Sequence, residues 1–210
     1  MLEKQLQEKG ILTKLLEEGI KILLKKECKQ ISKLKVDIDA SSIQLIKGII
    51  KRIQIIAEEI NYKDISFDEL ELEANKVKII FQRKNKELKF KNEPKIRLKI
   101  SLSESSIRKI LLSKNWNWIG NSITKEILNQ EQFKDILIKN NQIYIKASKD
   151  NKTINEEEKV DIKAENGKIY LGKNKYKESI NIPIEDKVYV ENVAIKNNLV
   201  IVLAISHLSF

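Results

Sequence analysis

ILIKNNQIYIKA, residues 136–147, sets Asn140-Asn141 between two runs rich in isoleucine. Asparagine tolerates the positive φ that a tight two-residue turn demands, so the stretch reads as a β-hairpin. VDIKAENGKIYL (160–171) repeats the pattern around Asn166-Gly167, and VAIKNNLVIVLAI (193–205) repeats it around Asn197-Asn198. Hairpins in succession pair neighbouring strands antiparallel, and the strand–helix–strand alternation of a parallel sheet does not occur. The chain therefore predicts an α+β protein built mainly of antiparallel strands.

Outward from these hairpins, KIRLKISL (95–102) alternates Ile96, Leu98, Ile100 and Leu102 with charges and reads as a strand. It runs into SESSIRKILL, where Ser103 suits an N-cap and Ile107, Ile110 and Leu111 form a helical face. Short helices are expected near 103–114 and, after Gly120, near 121–130. LKVDIDA (34–40) alternates strictly and predicts a half-buried strand. From Ile65 to Phe81 the chain looks extended, with the apolar parity changing over Asp68 and Glu69, as at a β-bulge. A second parity break falls between Val190 and Val193. The segment 49–62 is ambiguous: its apolar spacing fits a helix narrowly better, while its dense isoleucines suit a strand.

Near the N-terminus, Ile11, Leu12, Leu15, Leu16, Ile20, Leu23, Leu24, Cys28 and Ile31 recur at helical spacing among Lys and Glu. This amphipathic helix reads either as a core element or as a membrane-surface helix, and periodicity does not separate the two. Residues 1–10 carry the pattern only through Leu2 and Leu6 and are expected to be a frayed helical extension.

The 210 residues suit a single domain, 1–210, and 41% hydrophobic with 33% charged residues is a globular composition. No apolar run approaches the ~20 residues of a membrane span, and the N-terminus lacks the uninterrupted apolar segment of an export signal. The expectation is a cytoplasmic protein, or one peripheral on an intracellular membrane. The net charge is +10, but only 4 of the 40 basic residues are Arg. Lys and Ile number 36 each and Asn 18, an excess that an AT-rich genome produces whatever the protein does. Arg is the better fork for phosphates and base edges, so its scarcity weakens a nucleic-acid reading. A positive surface still favours anionic partners, lipid headgroups among them.

No catalytic residue emerges. Cys28 is the one cysteine and His207 the one histidine, so an internal disulfide and metal sites built on Cys pairs or several His cannot be assembled, and the one histidine stands three residues from the C-terminus. Neither a P-loop, a GxSxG nor a GxGxxG occurs, and acidic pairs such as Asp37/Asp39 and Glu58/Glu59 lack companion motifs. No metal or cofactor is expected, and the chain reads as no enzyme. Trp116 and Trp118, in WNWIG, read either as a plug for one end of the core or as an anchor at a lipid surface.

Four pieces in order carry a family resemblance: KLKVDIDASSIQLIKG, IIKRIQIIAEEINYKDISFDELELEANKVKI, KIRLKISLSESSIRKILL and IPIEDKVYVENVAIKNNLVIVLAIS. Over roughly residues 20–206 the chain resembles the LmeA-like phospholipid-binding family, much of it cyanobacterial. The resemblance implies that residues 49–62 are extended. It also implies an architecture similar to tubular lipid-binding domains: a long, strongly curved antiparallel sheet wrapped around the N-terminal helix. Between sheet and helix it implies an apolar groove suited to acyl chains. Leu199, Ile201, Leu203 and Ile205, on a strand apolar on both faces, are then candidate lipid contacts, together with Trp116 and Trp118. The family supplies no catalytic residue to carry over. Its exported members do not imply an envelope role here, since no export signal is read. The functional expectation is a non-enzymatic phospholipid-binding or lipid-transfer protein. The alternatives are a basic nucleic-acid-binding module or a structural partner at an intracellular membrane.

Overall fold

The computed structural model describes residues 10–82, 87–130, 132–148, 156–173 and 178–207. Apart from Gly10, the extension expected over residues 1–10 lies outside them. In chain order, helix α1 (Ile11–Glu27) precedes strand β1 (Gln30–Asp39), the short helix α2 (Ser42–Ile46) and strands β2 (Ile49–Tyr62) and β3 (Ile65–Gln82). Next come β4 (Glu87–Phe90), β5 (Lys95–Leu102), and helices α3 (Glu104–Leu112) and α4 (Asn117–Leu128). The chain continues through β6 (Gln132–Lys139), β7 (Gln142–Ser148), β8 (Glu156–Glu165), β9 (Lys168–Lys173), β10 (Glu178–Ile182), β11 (Val188–Lys196) and β12 (Leu199–His207). Segment 49–62 is thus a strand, and the two expected helices between β5 and β6 are present.

The strands form two open antiparallel sheets, not one long sheet wrapped around α1. One follows the order β1-β2-β3-β5-β12-β11, with β4 added against β3; the other is the meander β10-β9-β8-β7-β6. This corrects the expected tubular architecture, and its cause is the long-range pairing of β5 with β12, which leaves β6 to β10 between them as a separate sheet. Asn140, Asn141, Asn166 and Gly167 all take positive φ, so each turn folds its strand back on its neighbour. The pairs β6–β7 and β8–β9 thereby close within the meander, while β5 pairs with β12 across it.

Two hairpin tips clasp the sheets together. Asn141 N–H donates to Asn198 Oδ1 at 3.1 Å, and Asn198 N–H donates to Asn141 Oδ1 at 3.0 Å. An isolated bridge between Gly167 and Val190 adds a second link. Between the sheets lies the larger apolar cluster, which includes Ile123, Ile127, Phe133, Ile145, Val193 and Val202. A smaller cluster of Val36, Ile38, Ile50 and Val77 sits under α1, with Leu16 and Ile20 packed against it.

The bulge expected between Val190 and Val193 is present, and the one expected over Asp68 and Glu69 is not. Between Val190 and Asn192 the pairing with β12 shifts register, leaving Glu191 as the extra residue. Near Asp68 the β2–β3 register is unbroken, and it is Glu59, on the facing strand, that takes φ 50°.

An open sheet leaves unpaired N–H and C=O groups along its outer strands. Here helix side chains pair with them. At the end of β1, Ile38 N–H donates to Glu17 Oε1 at 2.8 Å, and Thr13 Oγ1 donates to the carbonyl of Ala40, just past the strand, at 3.1 Å. On β6, Arg108 Nη2 donates to the Ile136 carbonyl at 3.1 Å, and Ile138 N–H donates to Glu104 Oε2 at 2.8 Å. Each pair stands four residues apart, so both members lie on one helix face. Ser103 N–H and Oγ bond Asp68, which ties the start of α3 to β3.

Removing the Glu17 carboxylate leaves a buried N–H of Ile38 without its acceptor. Glu17→Ala and Glu104→Ala are each expected to lower unfolding free energy by about 1–3 kcal/mol, measured by urea denaturation. An unchanged midpoint in both would show that these contacts do not hold the edges.

Candidate functional site

Helix α1 meets the sheet with an unexpected side. At 100° per residue its apolar arc runs from Ile11 round to Leu24 and covers more than half the helix. Thr13 and Glu17, the residues that bond β1, are buried at one border of that arc, and Leu16, Ile20 and Leu24 beside them are half-buried. The rest of the arc faces outward: Ile11 is 77% exposed, Leu15 63%, Ile22 67% and Leu23 63%, with Leu12 also exposed. Exposed charges of both signs stand around it, Lys14, Lys25 and Lys26 with Glu18 and Glu27. The helix thus packs on the core along one side only, and its other side is apolar and exposed.

The C-terminal end of α1 is held through a small polar cluster. Lys29, just past the helix, pairs with Asp64 at 2.6 Å, and Asn115 Nδ2 donates to the other oxygen of Asp64 at 2.6 Å. The hydrogen bond from Lys29 holds the Asp64 carboxyl below its ordinary value, against a smaller opposing effect of desolvation. A depressed carboxylate contributes its stability above the unfolded-state value and loses it as pH falls through the folded one. Cys28 is half-buried; desolvation first, and then Glu27, push its thiol upward, away from a reactive thiolate. His207 is exposed at the end of β12. Among the described residues no group of three potential metal ligands occurs.

The two tryptophans part company. Trp116 is half-buried against the larger cluster, and its Nε1 donates to the Lys63 carbonyl at 3.0 Å. Trp118, two residues on, is 48% exposed. On β12, Val200, Val202 and Ala204 enter the larger cluster, so Leu199, Ile201, Leu203 and Ile205 occupy the opposite face. That face is not a groove beside α1. Ile201 pairs with Ser101, Leu203 with Lys99 and Ile205 with Arg97, and these in turn face Glu69, Glu71 and Glu73 on β3. Lys99 and Glu71 form an ion pair there. The candidate lipid contacts are thus split between two faces of the sheet, with Trp116 on the side away from the four β12 residues.

One described hollow, of about 550 Å³, lies at the start of α1, lined among others by Gly10, Asp37, Asp39, Ser42, Lys51 and Arg52. A larger one, of about 680 Å³, sits by the β10–β11 connection, lined among others by Lys168, Asn181, Glu185, Asp186, Lys187 and His207. Another of about 260 Å³ opens on the charged face beside Glu71, Arg97, Lys99 and Leu203. Among the described residues no helix is long and apolar enough to cross a membrane.

Sequence reasoning missed Ile43 and Ile46 of α2, which are 67% and 77% exposed. The available signal was the capping box at Ser41 and Gln44 ahead of Gly48, which encloses a single helical turn. Comparison of the chain with protein-family models, curated proteins and solved structures returned no match.

Trp116→Phe removes a hydrogen bond and core volume, whereas Trp118→Phe changes an exposed ring. The first is expected to lower the thermal midpoint by several degrees, corresponding to about 1–2 kcal/mol, and the second to leave it unchanged. Acrylamide should quench the fluorescence of Trp116→Phe, which retains Trp118, more strongly than that of Trp118→Phe.

Proposed function

We propose that this protein is a non-enzymatic phospholipid-binding protein that associates with the surface of bilayers containing anionic lipids, peripherally on an intracellular membrane. The observation that carries the reading is the outward apolar arc of α1, formed by Ile11, Leu12, Leu15, Ile22 and Leu23 and edged by Lys14, Lys25 and Lys26. A helix of this kind lies in the interface, with its apolar face among the acyl chains and its lysines at the headgroups. Burying each half-exposed Ile or Leu is worth about 1 kcal/mol. Each lysine near an anionic surface adds about 1 kcal/mol at moderate salt and less as salt rises. Neither contribution alone gives firm binding, so apolar insertion and charge attraction are both required.

The resemblance to the LmeA-like phospholipid-binding family points the same way and includes the segment bearing β1, α2 and β2. Acyl-chain carriage forms no part of the proposal, because the hollow at the start of α1 is lined by Asp37, Asp39, Lys51 and Arg52 and the larger one lies by the β10–β11 connection.

Co-sedimentation with vesicles tests it. Binding is expected to vesicles containing phosphatidylglycerol, to weaken with salt, and to be nearly absent with phosphatidylcholine alone. The double substitution Leu15→Glu with Ile22→Glu is expected to abolish binding while leaving the circular dichroism spectrum intact. Protein that ignores anionic vesicles at low salt but binds duplex DNA would replace this reading with that of a basic nucleic-acid-binding module.

A further inference from the structure

The end of the molecule where α2 meets β3 and β4 combines a rigid turn with water-exposed isoleucines. Ser41 closes α2 from both sides: its Oγ accepts from Gln44 N–H at 3.2 Å, and its own N–H donates to Gln44 Oε1 at 2.9 Å. Leu45 turns inward to the smaller cluster. Gly48 then takes φ 70°, and its carbonyl accepts from Ile79 N–H at 2.8 Å. A Cβ at Gly48 would collide with the Ile79 carbonyl oxygen, so only glycine lets α2 lie this close to β3. The turn is thus pinned at both ends, and what it holds in water is Ile43 and Ile46, three residues apart on one side.

Apolar exposure continues past the turn. Ile49 pairs with Lys78 on the outer face of the sheet, and Ile80, two residues along that face, is 47% exposed. Lysines surround these side chains: Lys47, Lys51, Lys76, Lys78 and Lys91 are all exposed. Asn92 fixes the backbone beneath them, accepting from Lys78 N–H at 2.8 Å and donating to the Lys76 carbonyl at 3.0 Å. Of the two acids on the neighbouring stretch of β1, Asp37 is paired with Arg52 at 3.1 Å and Asp39 is exposed, so the lysines outnumber the acids here. An apolar patch ringed by lysines is complementary to an anionic bilayer, which offers hydrocarbon below a layer of phosphates.

We infer that Ile43 and Ile46, with Ile49, Ile80 and the surrounding lysines, form a second phospholipid contact, so that the protein engages an anionic bilayer through this end as well as through α1. The inference rests on the surface-binding reading. Helix α1 reaches the same place, since Gly10 at its start abuts Ser42 of α2. Its other end, at Lys29, is tied to the β2–β3 turn. The two proposed contacts are therefore neighbours at this end of the molecule.

The test uses single-cysteine variants in a Cys28→Ser background, labelled with an environment-sensitive fluorophore at Ile46→Cys, Ile22→Cys or, on the exposed side of α4, Lys125→Cys. With phosphatidylglycerol vesicles a blue shift is expected at positions 46 and 22 and none at 125. Ile43→Ser with Ile46→Ser is expected to weaken vesicle binding about tenfold without moving the thermal midpoint. A shift at 22 but not at 46, with binding unaffected by the double substitution, overturns the inference and leaves the α1 reading standing. No shift at either position overturns both. Concentration-dependent self-association that the double substitution abolishes, with no response at position 46 to vesicles, would assign the patch to a second copy of the chain instead.

Discussion

Unpaired backbone at the rims of two open sheets is the constraint on which this structure depends. A rim N–H or C=O that loses water without gaining a partner costs about 1–3 kcal/mol, and a long bare rim also invites pairing with another chain. The protein answers twice in the same way. At the end of β1 the partners are Thr13 and Glu17, and on β6 they are Glu104 and Arg108. In both cases side chains one helical turn apart reach an N–H and a C=O two residues apart along the chain. Helix and strand periodicities make that match available, and the contact sets how each helix is rotated against its sheet.

For α1 that rotation has a consequence for function. Turning Thr13 and Glu17 toward β1 leaves only Leu16, Ile20 and Leu24 to share the core, and an apolar arc covering more than half the helix cannot all face one edge. Ile11, Leu12, Leu15, Ile22 and Leu23 are left in water. A helix meant only for the core would place its apolar face inward and its polar residues out. Here two polar side chains, Thr13 and Glu17, and two apolar ones, Leu16 and Ile20, hold the helix, and five further apolar side chains are left exposed. The same division is repeated on a smaller scale in α2, where Leu45 anchors while Ile43 and Ile46 face outward.

Much of the secondary structure was legible because its signals are local. Asn140-Asn141, Asn166-Gly167 and Asn197-Asn198 named their turns, since positive φ is a property of the residues themselves. Ser103 announced α3 and accepts from Ser106 N–H at 3.2 Å as an N-cap should. The long strand β2 defeated periodicity, because a run such as IIKRIQII fits helical spacing as well as it fits two covered strand faces. The candidate site was less legible. Leu199, Ile201, Leu203 and Ile205 are indistinguishable in composition from Val200, Val202 and Ala204. Which set meets the core depends on where the meander and α4 pack. Trp116 and Trp118 likewise differ only in that the Lys63 carbonyl lies within reach of one of them.

The sequence by itself determined an antiparallel α+β protein with a single cysteine and a single histidine, and the positions at which its chain turns. Turn chemistry and residue supply are properties of a few neighbouring side chains, so they need no knowledge of the rest. Tertiary structure decided that the strands divide into two open sheets and that α1 lies against a rim instead of inside a curled sheet. It also decided which isoleucines and leucines are left outside. Those outcomes depend on pairings such as β5 with β12 and on contacts such as Glu17 with Ile38, between residues 21 or more positions apart. No local pattern encodes which of many equivalent apolar faces will find the core.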